Sequence, residues 1–185
     1  MNNRELAGTF IFVGAVQFVI GMILAEIFYP GYNVSGNYIS DLGATYQPSA
    51  FIFNTSVIIL GILIILSAYF IWNEFQNYLI SILIGLSGVG ALGIGLFPET
   101  TGNLHLIVSF IAFFFAALSA IAASKLVKSP FTYFSVILGI ASLAALALFG
   151  LQFYLGLGPG GMERMIAYPV LLWAVGFGGY LMSTA

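Results

Sequence analysis

Five side chains that could do acid–base chemistry lie in three short segments that separate hydrophobic stretches of the chain. Asp41 lies in the first segment, Glu99 and His105 lie in the second, and Glu163 and Arg164 lie in the third. Ionisable groups beside hydrocarbon are costly, so they usually face the protein interior, pair with one another or serve a function. If the three segments share one side of a membrane, we expect these side chains to converge on one pocket.

The single histidine, His105, is the candidate for a general base. A neutral imidazole can remove a proton from water or from a hydroxyl group, and Asp41 and Glu99 are predicted as its orienting or acidic partners. The alternative is a structural histidine at a helix end, bonded to the backbone or to Glu99. The sequence leaves both roles open, and its catalytic candidates are His105, Asp41 and Glu99.

A second group of polar side chains is predicted to bind a ligand. The forked donors of Arg164 suit a phosphate or carboxylate, although an ion pair with Glu163, Glu26 or Asp41 is the alternative that the sequence slightly favours. For Asp41 the alternative is an Asx turn or a cap of the second helix. The other candidates are polar side chains of the same segments: Glu26, Asn33, Asn37, Ser40 and Glu163.

Other chemistries have little support in the sequence. No compact ligand spacing is present, so no metal site is predicted. The absence of cysteine excludes disulfides, thiolate metal sites and cysteine nucleophiles. Ser35 or Ser40 with His105 has the residue types of a serine nucleophile and its base, but no nucleophile-elbow motif is present. Residues 33–35 form an Asn-Val-Ser glycosylation sequon, which has meaning only in a host with that machinery.

The elements that position these residues are predicted to be transmembrane helices. The chain has 185 residues, of which 61% are hydrophobic and 5% are charged, whereas a soluble domain has about 25% charged residues. So few charges cannot cover a surface in water, and the bilayer must solvate most of this one. The net charge of −2 argues against a nucleic-acid partner.

A spanning helix needs roughly 20 mostly apolar residues. Six stretches qualify, so we predict an all-α, polytopic bundle of six transmembrane helices in one domain, 1–185, with spans at 6–28, 50–71, 79–97, 104–123, 131–157 and 165–181. The first span is read as a retained helix, because it is too long for a signal-peptide core. Prolines support the breaks at positions 30, 48, 98, 130 and 159, and Pro169 is expected to kink the last helix.

The third stretch contains small residues at four-residue spacing, Ser87, Ala91 and Gly95, with further glycines between them. Such spacing lets helix backbones approach closely in lipid. A glycine-rich phosphate loop is the alternative, but it needs a preceding strand and an open turn. We therefore predict close helix packing at this stretch.

Lysine and arginine residues indicate the orientation of the bundle. With six spans both termini share one side, which contains Arg4, Lys125 and Lys128, and the opposite side contains Arg164. The positive-inside rule places both termini in the cytoplasm. The first, third and fifth loops, with nearly all the reactive side chains, are then expected to face outward.

The segments 37–43 (Asn-Tyr-Ile-Ser-Asp-Leu-Gly) and 97–99 (Phe-Pro-Glu), followed by Gly102 and His105, together with the six-helix layout, resemble a known family. It is a family of six-span membrane proteins called domain of unknown function 998, common in archaea and bacteria and distantly similar to the FRAG1/DRAM/Sfk1 type. The resemblance covers essentially the whole chain. It implies a fold and a membrane location, and it supplies no reaction or cofactor.

Two hypotheses about function follow. The first is a cytoplasmic-membrane protein whose outward polar pocket binds, and if it is an enzyme hydrolyses or transfers, a lipid headgroup or a small amphipathic ligand. The second is a non-catalytic accessory or scaffold subunit with protein partners in a larger membrane complex. A transporter fits less well, because transporters place ionisable groups near the bilayer midplane.

Overall fold

A computed structural model describes residues 1–184, which fold entirely into helices and the loops that join them. Six long helices are present in this part of the chain, and each is long and apolar enough to cross a membrane. The prediction of an all-α bundle of six transmembrane helices is confirmed. The helices are α1 (Asn3–Phe28), α2 (Ala50–Phe75), α3 (Tyr78–Leu96), α4 (Asn103–Ala123), α5 (Phe131–Gly150) and α6 (Gly158–Ser183).

Asparagine side chains begin two of these helices, because the first backbone N–H groups of a helix have no partner within it. The Asn2 side chain accepts the N–H of Glu5 at 2.8 Å, and the Glu5 carboxylate accepts the N–H of Asn2 at 2.9 Å. The Asn77 side chain accepts the N–H of Ile80 at 3.2 Å. The first of these pairs is a capping box, which fixes the start of α1.

The helices pack in chain order, each against its neighbours in sequence, and α6 returns to contact α1. This closed arrangement surrounds a narrow interior, and α4 and α6 also touch directly across it. The fifth helix packs on α4 and α6, and its buried residues are all small: Ser135, Gly139, Ser142 and Ala145. It therefore lies as an outer wedge between α4 and α6.

Glycines of α3 let the neighbouring backbones come close, as predicted. A Cβ atom on Gly90 would lie 2.3 Å from the Ala112 nitrogen of α4. A Cβ atom on Gly95 would lie 2.7 Å from the Asn54 carbonyl oxygen of α2. These glycines are inside a helix, so they belong to helix packing and do not form a phosphate loop.

The boundary between the last two helices differs from the prediction. The fifth helix ends at Gly150 instead of residue 157, and α6 begins at Gly158 instead of residue 165. Left-handed backbone at Gln152, Leu155 and Gly156 ends the one helix, and a proline in the first turn favours the start of the other. Glu163 and Arg164, expected in a loop, therefore lie in α6. Helix α6 continues through Pro169.

The ends of α1, α3 and α5 and the starts of α2, α4 and α6 lie together, and we call this the site end of the bundle. The first loop, residues 29–49, covers it and contains a short 3-10 helix, Ser40–Gly43. That turn contacts a second one, Glu99–Thr101, which precedes α4. The two turns bring the predicted carboxylates of the first and third loops together.

Candidate functional site

The first loop is bound tightly to the start of α6. The Gly160 N–H donates to the Ser35 carbonyl oxygen at 2.9 Å, and the Ser35 hydroxyl donates to the Leu157 carbonyl oxygen at 2.6 Å. A Cβ atom on Gly160 would lie 1.8 Å from the Asn37 carbonyl oxygen. Only glycine at position 160 allows this approach, so the glycines that begin α6 serve the docking of the loop.

Arg164 ties the same loop to α1. Its Nη2 donates to a Glu26 carboxylate oxygen at 2.6 Å and to the Tyr32 hydroxyl at 2.7 Å. Its Nη1 donates to the carbonyl oxygens of Val34 and Gly160, both at 3.1 Å. The side chain is buried and engaged by the protein itself. The ion pair that the sequence slightly favoured is formed, and Glu26 is its partner among the three carboxylates considered.

Tyr32 connects Arg164 to a later residue of the first loop, Tyr38. Its ring lies beneath the Arg164 guanidinium, 5.5 Å from centroid to Cζ, and its hydroxyl donates to the Tyr38 carbonyl oxygen at 2.9 Å. Burial raises the pKa of Tyr32 to about 12, although the nearby guanidinium acts in the opposite direction. Tyr32 therefore keeps its proton at neutral pH, and Tyr38 is held in place.

Glu163 binds the backbone at the start of the 3-10 helix Ser40–Gly43. Its Oε2 accepts the backbone N–H of Ile39, the residue that precedes Ser40–Gly43. The side chain is only 7% exposed. A carboxylate that binds the N–H groups at a helix start is favoured there, because those groups are positive and otherwise unpartnered.

Asp41 is held by its own loop. Its Oδ2 accepts the Asn37 side-chain N–H at 2.9 Å and the Tyr38 backbone N–H at 2.9 Å. Asn33 makes a separate local turn, in which its Oδ1 accepts the N–H groups of Ser35 and Gly36. The Asp41 carboxylate is thus fixed in place, without capping α2.

Glu99 forms a carboxyl pair with Asp41. The two carboxyl groups form a hydrogen-bonding pair, and the Ser40 hydroxyl lies near Glu99. The pKa of Glu99 rises to about 8, mainly because the group is buried, then because of the bond to Asp41 and its charge, and then because of Glu163. At neutral pH Glu99 therefore keeps a proton and donates it to the Asp41 carboxylate.

His105 bonds neither carboxylate. Its Nδ1 lies 2.8 Å from the Phe97 carbonyl oxygen, and its Nε2 lies 3.2 Å from the Ser109 hydroxyl. Because a carbonyl oxygen only accepts, Nδ1 must bear the hydrogen, and Nε2 is then the acceptor of the Ser109 O–H. Ser109 was not among the predicted site residues, although its position one helical turn after His105 places both on one face of α4.

A groove of about 550 Å³ lies between α4, α5 and the start of α6, and we call it the lateral groove. Polar side chains of the loops and of the first two turns of α4 and α6 line it at the site end, and apolar side chains of α4, α5 and α6 line the rest. The lining residues are Tyr38, Ser40, Glu99, Gly102, His105, Leu106, Ser109, Phe110, Phe113, Leu146, Phe149, Gly150, Glu163 and Ile166.

A second space of about 110 Å³ lies among α1, α2, α3, α4 and α6, and we call it the central cavity. It is mostly apolar, with Val57, Ile84 and Val170 in its wall. The residues that line both spaces include His105, Ser109 and Glu163. These three side chains therefore lie where the narrow interior of the bundle meets the lateral groove.

The predicted site residues divide into two groups. Ser40, Glu99, His105 and Glu163 line the lateral groove, and Asp41 joins them through its bond to Glu99. The other predicted residues bond within or beside the first loop instead, and these are Glu26, Asn33, Asn37 and Arg164. Within residues 1–184, no three histidine or acidic side chains are arranged to hold a metal ion.

Comparison with known proteins gave one family and no individual relative. A family model described as Protein of unknown function (DUF998) matches residues 12–180, which confirms the resemblance seen in the sequence. Searches of curated proteins and of solved structures each returned no significant match. The geometry of the site is therefore the basis for any assignment of function.

Proposed function

The chain belongs to the DUF998 family, and we propose that it binds one amphipathic molecule of the membrane in the lateral groove. The polar head would lie against Ser40, Glu99, His105 and Glu163, and the apolar tail would lie between α4 and α5. The observation that supports this most directly is the groove itself, which is polar at the site end and apolar beyond it. Its volume of about 550 Å³ is within the usual range for ligand pockets, roughly 300–1,000 Å³.

The depth of the groove suits an acyl or alkyl chain. Phe113 follows His105 by eight residues on α4, which at 1.5 Å per residue is about 12 Å along the helix. Leu146 and Phe149 of α5 lie across from this part of α4 in the wall of the groove. A chain of about ten carbon atoms fits this length.

The side of the groove is open to lipid. Leu106 and Phe110 are 64% and 53% exposed, and both lie on a spanning helix, where an exposed side chain meets hydrocarbon. A molecule with a long apolar chain would therefore reach the site from the bilayer without passing through water.

The charges of the site favour a neutral or cationic head group. Asp41 and Glu163 are acidic, and the Glu99 proton is engaged by Asp41 at neutral pH. No lysine or arginine lines the groove, and the nearby Arg164 is already paired with Glu26. A hydroxyl-rich or amine head group finds acceptors and donors here, whereas a phosphate would meet like charges.

We also propose that the protein is a multi-pass protein of the cytoplasmic membrane with both termini in the cytoplasm. The three basic residues Arg4, Lys125 and Lys128 lie at the end of the bundle opposite the site end. The positive-inside rule then turns the site end outward.

A second candidate function is an accessory subunit of a membrane complex. It is favoured by the loop between α5 and α6, where Leu151, Phe153 and Leu155 are 78%, 58% and 60% exposed beside the groove. Such a patch fits a protein partner as well as the lipid interface. Purification in mild detergent separates the two candidates, since a stoichiometric protein partner supports the subunit and bound lipid supports the groove.

Binding is tested with a fluorescent monoacylglycerol and the purified protein in phosphatidylcholine nanodiscs. Leu146→Trp, which fills the groove, is expected to weaken binding at least tenfold. Ile137→Trp is the matched control, because Ile137 is exposed on the same helix and does not line the groove. Dodecylamine is expected to displace the probe, and dodecyl phosphate is not. Equal binding by both variants and the unchanged protein would overturn the proposal.

A further inference from the structure

Ser109 and His105 have the geometry of a nucleophile and its base. The Ser109 hydroxyl donates to His105 Nε2 at 3.2 Å, and His105 Nδ1–H donates to the Phe97 carbonyl oxygen at 2.8 Å. A hydroxyl bonded to a base that a third group orients is the general arrangement of an activated serine. Here the backbone carbonyl of Phe97 takes the place of the usual carboxylate.

The hydrogen bond of Ser109 differs from those of other serines in the bundle. A serine in a spanning helix ordinarily bonds the carbonyl three or four residues before it, which satisfies its hydroxyl. Ser119, on the same helix, donates to the Phe115 carbonyl oxygen at 2.7 Å, and Ser56 of α2 donates to that of Ile52 at 2.8 Å. Ser109 donates to the imidazole instead, so its oxygen is polarised towards a base.

The pair lies where a substrate would be held. Ser109 and His105 line the lateral groove beside the polar side chains of Ser40 and Glu99, with the apolar wall just beyond. A lipid with its head group at the site end and its chain between α4 and α5 would place the bond between head and chain near Ser109. His105 is only 6% exposed, so its ring is held rigidly by packing and by its two hydrogen bonds.

We propose that the protein is a serine-dependent lipid acyl hydrolase or acyltransferase, in which Ser109 is the nucleophile and His105 the general base. This inference rests on the proposed binding of an amphipathic lipid in the lateral groove. The substrate class is an ester of a fatty acid with an uncharged alcohol such as a polyol. Nothing in the sequence pattern around Ser109 signals this role, because the residue lies inside an apolar helix.

The reaction proceeds in two balanced steps. Ser109 Oγ forms a bond to the ester carbonyl carbon while its proton passes to His105 Nε2, and the carbon–oxygen bond to the alcohol then breaks. The same proton moves from His105 Nε2 to the departing alkoxide. The free alcohol is released, and an acyl-Ser109 remains on the protein. Water, or a second alcohol, then attacks the acyl carbon while its proton passes to His105 Nε2. The bond from that carbon to Ser109 Oγ breaks, the proton returns from His105 to Ser109 Oγ, and a fatty acid or a new ester is released.

Hydrogen-bond donors for the developing oxyanion line the same groove. Burial raises the pKa of the Tyr38 phenol, which therefore keeps its proton at neutral pH. The Ser40 hydroxyl is a second donor. Preorganised donors of this kind stabilise the charge that forms on the carbonyl oxygen in acyl transfer.

A serine-reactive probe tests the inference directly. A long-chain alkyl fluorophosphonate is expected to label the protein in phosphatidylcholine nanodiscs, and peptide mass spectrometry is expected to place the label on Ser109. Ser109→Ala is expected to lose the label entirely, and His105→Gln is expected to slow labelling at least 100-fold. Ser119→Ala is the matched control, a serine of the same helix bonded to backbone, and it is expected to label at the unchanged rate.

The fluorescent monoacylglycerol separates the failure of this inference from the failure of binding. Ser109→Ala is expected to keep the affinity of the unchanged protein for the probe while release of its fatty acid falls to the level of empty nanodiscs. Binding without any Ser109 label, or label and fatty-acid release that persist in Ser109→Ala, would overturn the catalytic role and leave the binding proposal intact. Absence of binding by the unchanged protein would remove both.

Discussion

Arg164 and Glu26 form an ion pair of 2.6 Å that joins the second turn of α6 to the last turn of α1 across 138 residues of sequence. The same guanidinium bonds Tyr32 and the Val34 carbonyl, so one side chain connects two helices and the first loop. Since the first loop contains Ser40 and Asp41, this connection positions the candidate site without touching it.

The Arg164 connection is predicted to stabilise the folded bundle. Removing one partner of a buried ion pair leaves an uncompensated charge and costs about 3–5 kcal/mol. Glu26 is 24% exposed, so we expect Arg164→Gln to lower the stability by an amount at the low end of that range. Thermal unfolding in detergent measures the change. Lys125→Gln, an exposed cation at the opposite end, is expected to have no effect, and equal unfolding temperatures for the two variants would contradict the prediction.

Close docking of the first loop on α6 is predicted to depend on Gly160. A Cβ atom there would lie 1.8 Å from the Asn37 carbonyl oxygen, so Gly160→Ala must displace the loop. We expect a lower unfolding temperature and faster proteolysis within residues 29–49. Gly179→Ala is the control on the same helix, because nothing lies within 4 Å of its added Cβ atom, and a helical glycine-to-alanine change gains up to about 1 kcal/mol. Identical behaviour of the two variants would show that the loop is not held in this way.

The stability of the site end is predicted to fall as the pH rises. The pKa of Glu99 is about 8 in the folded protein and ordinarily 4.5, so the folded state holds an extra proton between those values. The stabilisation is then fully present below pH 4.5 and lost as the pH passes through about 8. We expect the unfolding temperature to decrease between pH 5 and pH 9, and Glu99→Gln, which mimics the protonated acid, to flatten that dependence. A slope that Glu99→Gln leaves unchanged would assign it to another group.

Packing of α3 against α4 is predicted to tolerate no side chain at Gly90. An added Cβ atom would lie 2.3 Å from the Ala112 nitrogen, and overpacking of this kind costs about 1–3 kcal/mol. Gly85→Ala is the matched control on the same helix, since its nearest contact would be Ala68 at 3.7 Å. Gly90→Ala is expected to unfold at a lower temperature than the unchanged protein, and Gly85→Ala is not. The reverse order would exclude close α3–α4 contact.

The orientation of the bundle is predicted from its basic residues. Single introduced cysteines can test it, because the protein has no cysteine of its own that a thiol reagent would label. Tyr46 is 75% exposed on the first loop, and Lys125 is exposed at the opposite end. With both termini in the cytoplasm, a membrane-impermeant maleimide applied to intact cells is expected to label Tyr46→Cys and to spare Lys125→Cys until the cells are lysed. Labelling in the opposite pattern would invert the proposed topology.

The sequence predicts the spans of this protein well because lipid imposes one simple requirement, an apolar stretch of sufficient length. It also predicts that Glu99 and Asp41 approach each other, because odd-numbered loops of a six-span bundle share one side. It does not predict the start of α6, since Glu163 and Arg164 resemble loop residues until their partners Ile39 and Glu26 are known. Such partners are more than a hundred residues away, and spacing along one chain contains no information about them.

Ser109 shows a different limit. A serine in an apolar helix ordinarily bonds a backbone carbonyl of the preceding turn and has no further role. Only the contact with His105 distinguishes Ser109 from Ser119. The spacing of four residues places the two side chains on one face of α4, but the same spacing occurs by chance in any serine-containing helix. The distance of 3.2 Å between the two side chains is a property of rotamers, which the sequence does not specify.

The lateral groove opens towards lipid between Leu106 and Phe110, and this opening determines which ligand concentration sets the occupancy of the site. A molecule that arrives sideways through hydrocarbon is dissolved in two dimensions, so its relevant supply is its mole fraction among the lipids and not its concentration in the buffer. Diluting the nanodiscs with buffer would leave occupancy unchanged, whereas adding carrier phospholipid at a fixed total amount of ligand would lower it. A ligand dissolved in the buffer would instead lose occupancy on dilution and would be unaffected by added phospholipid.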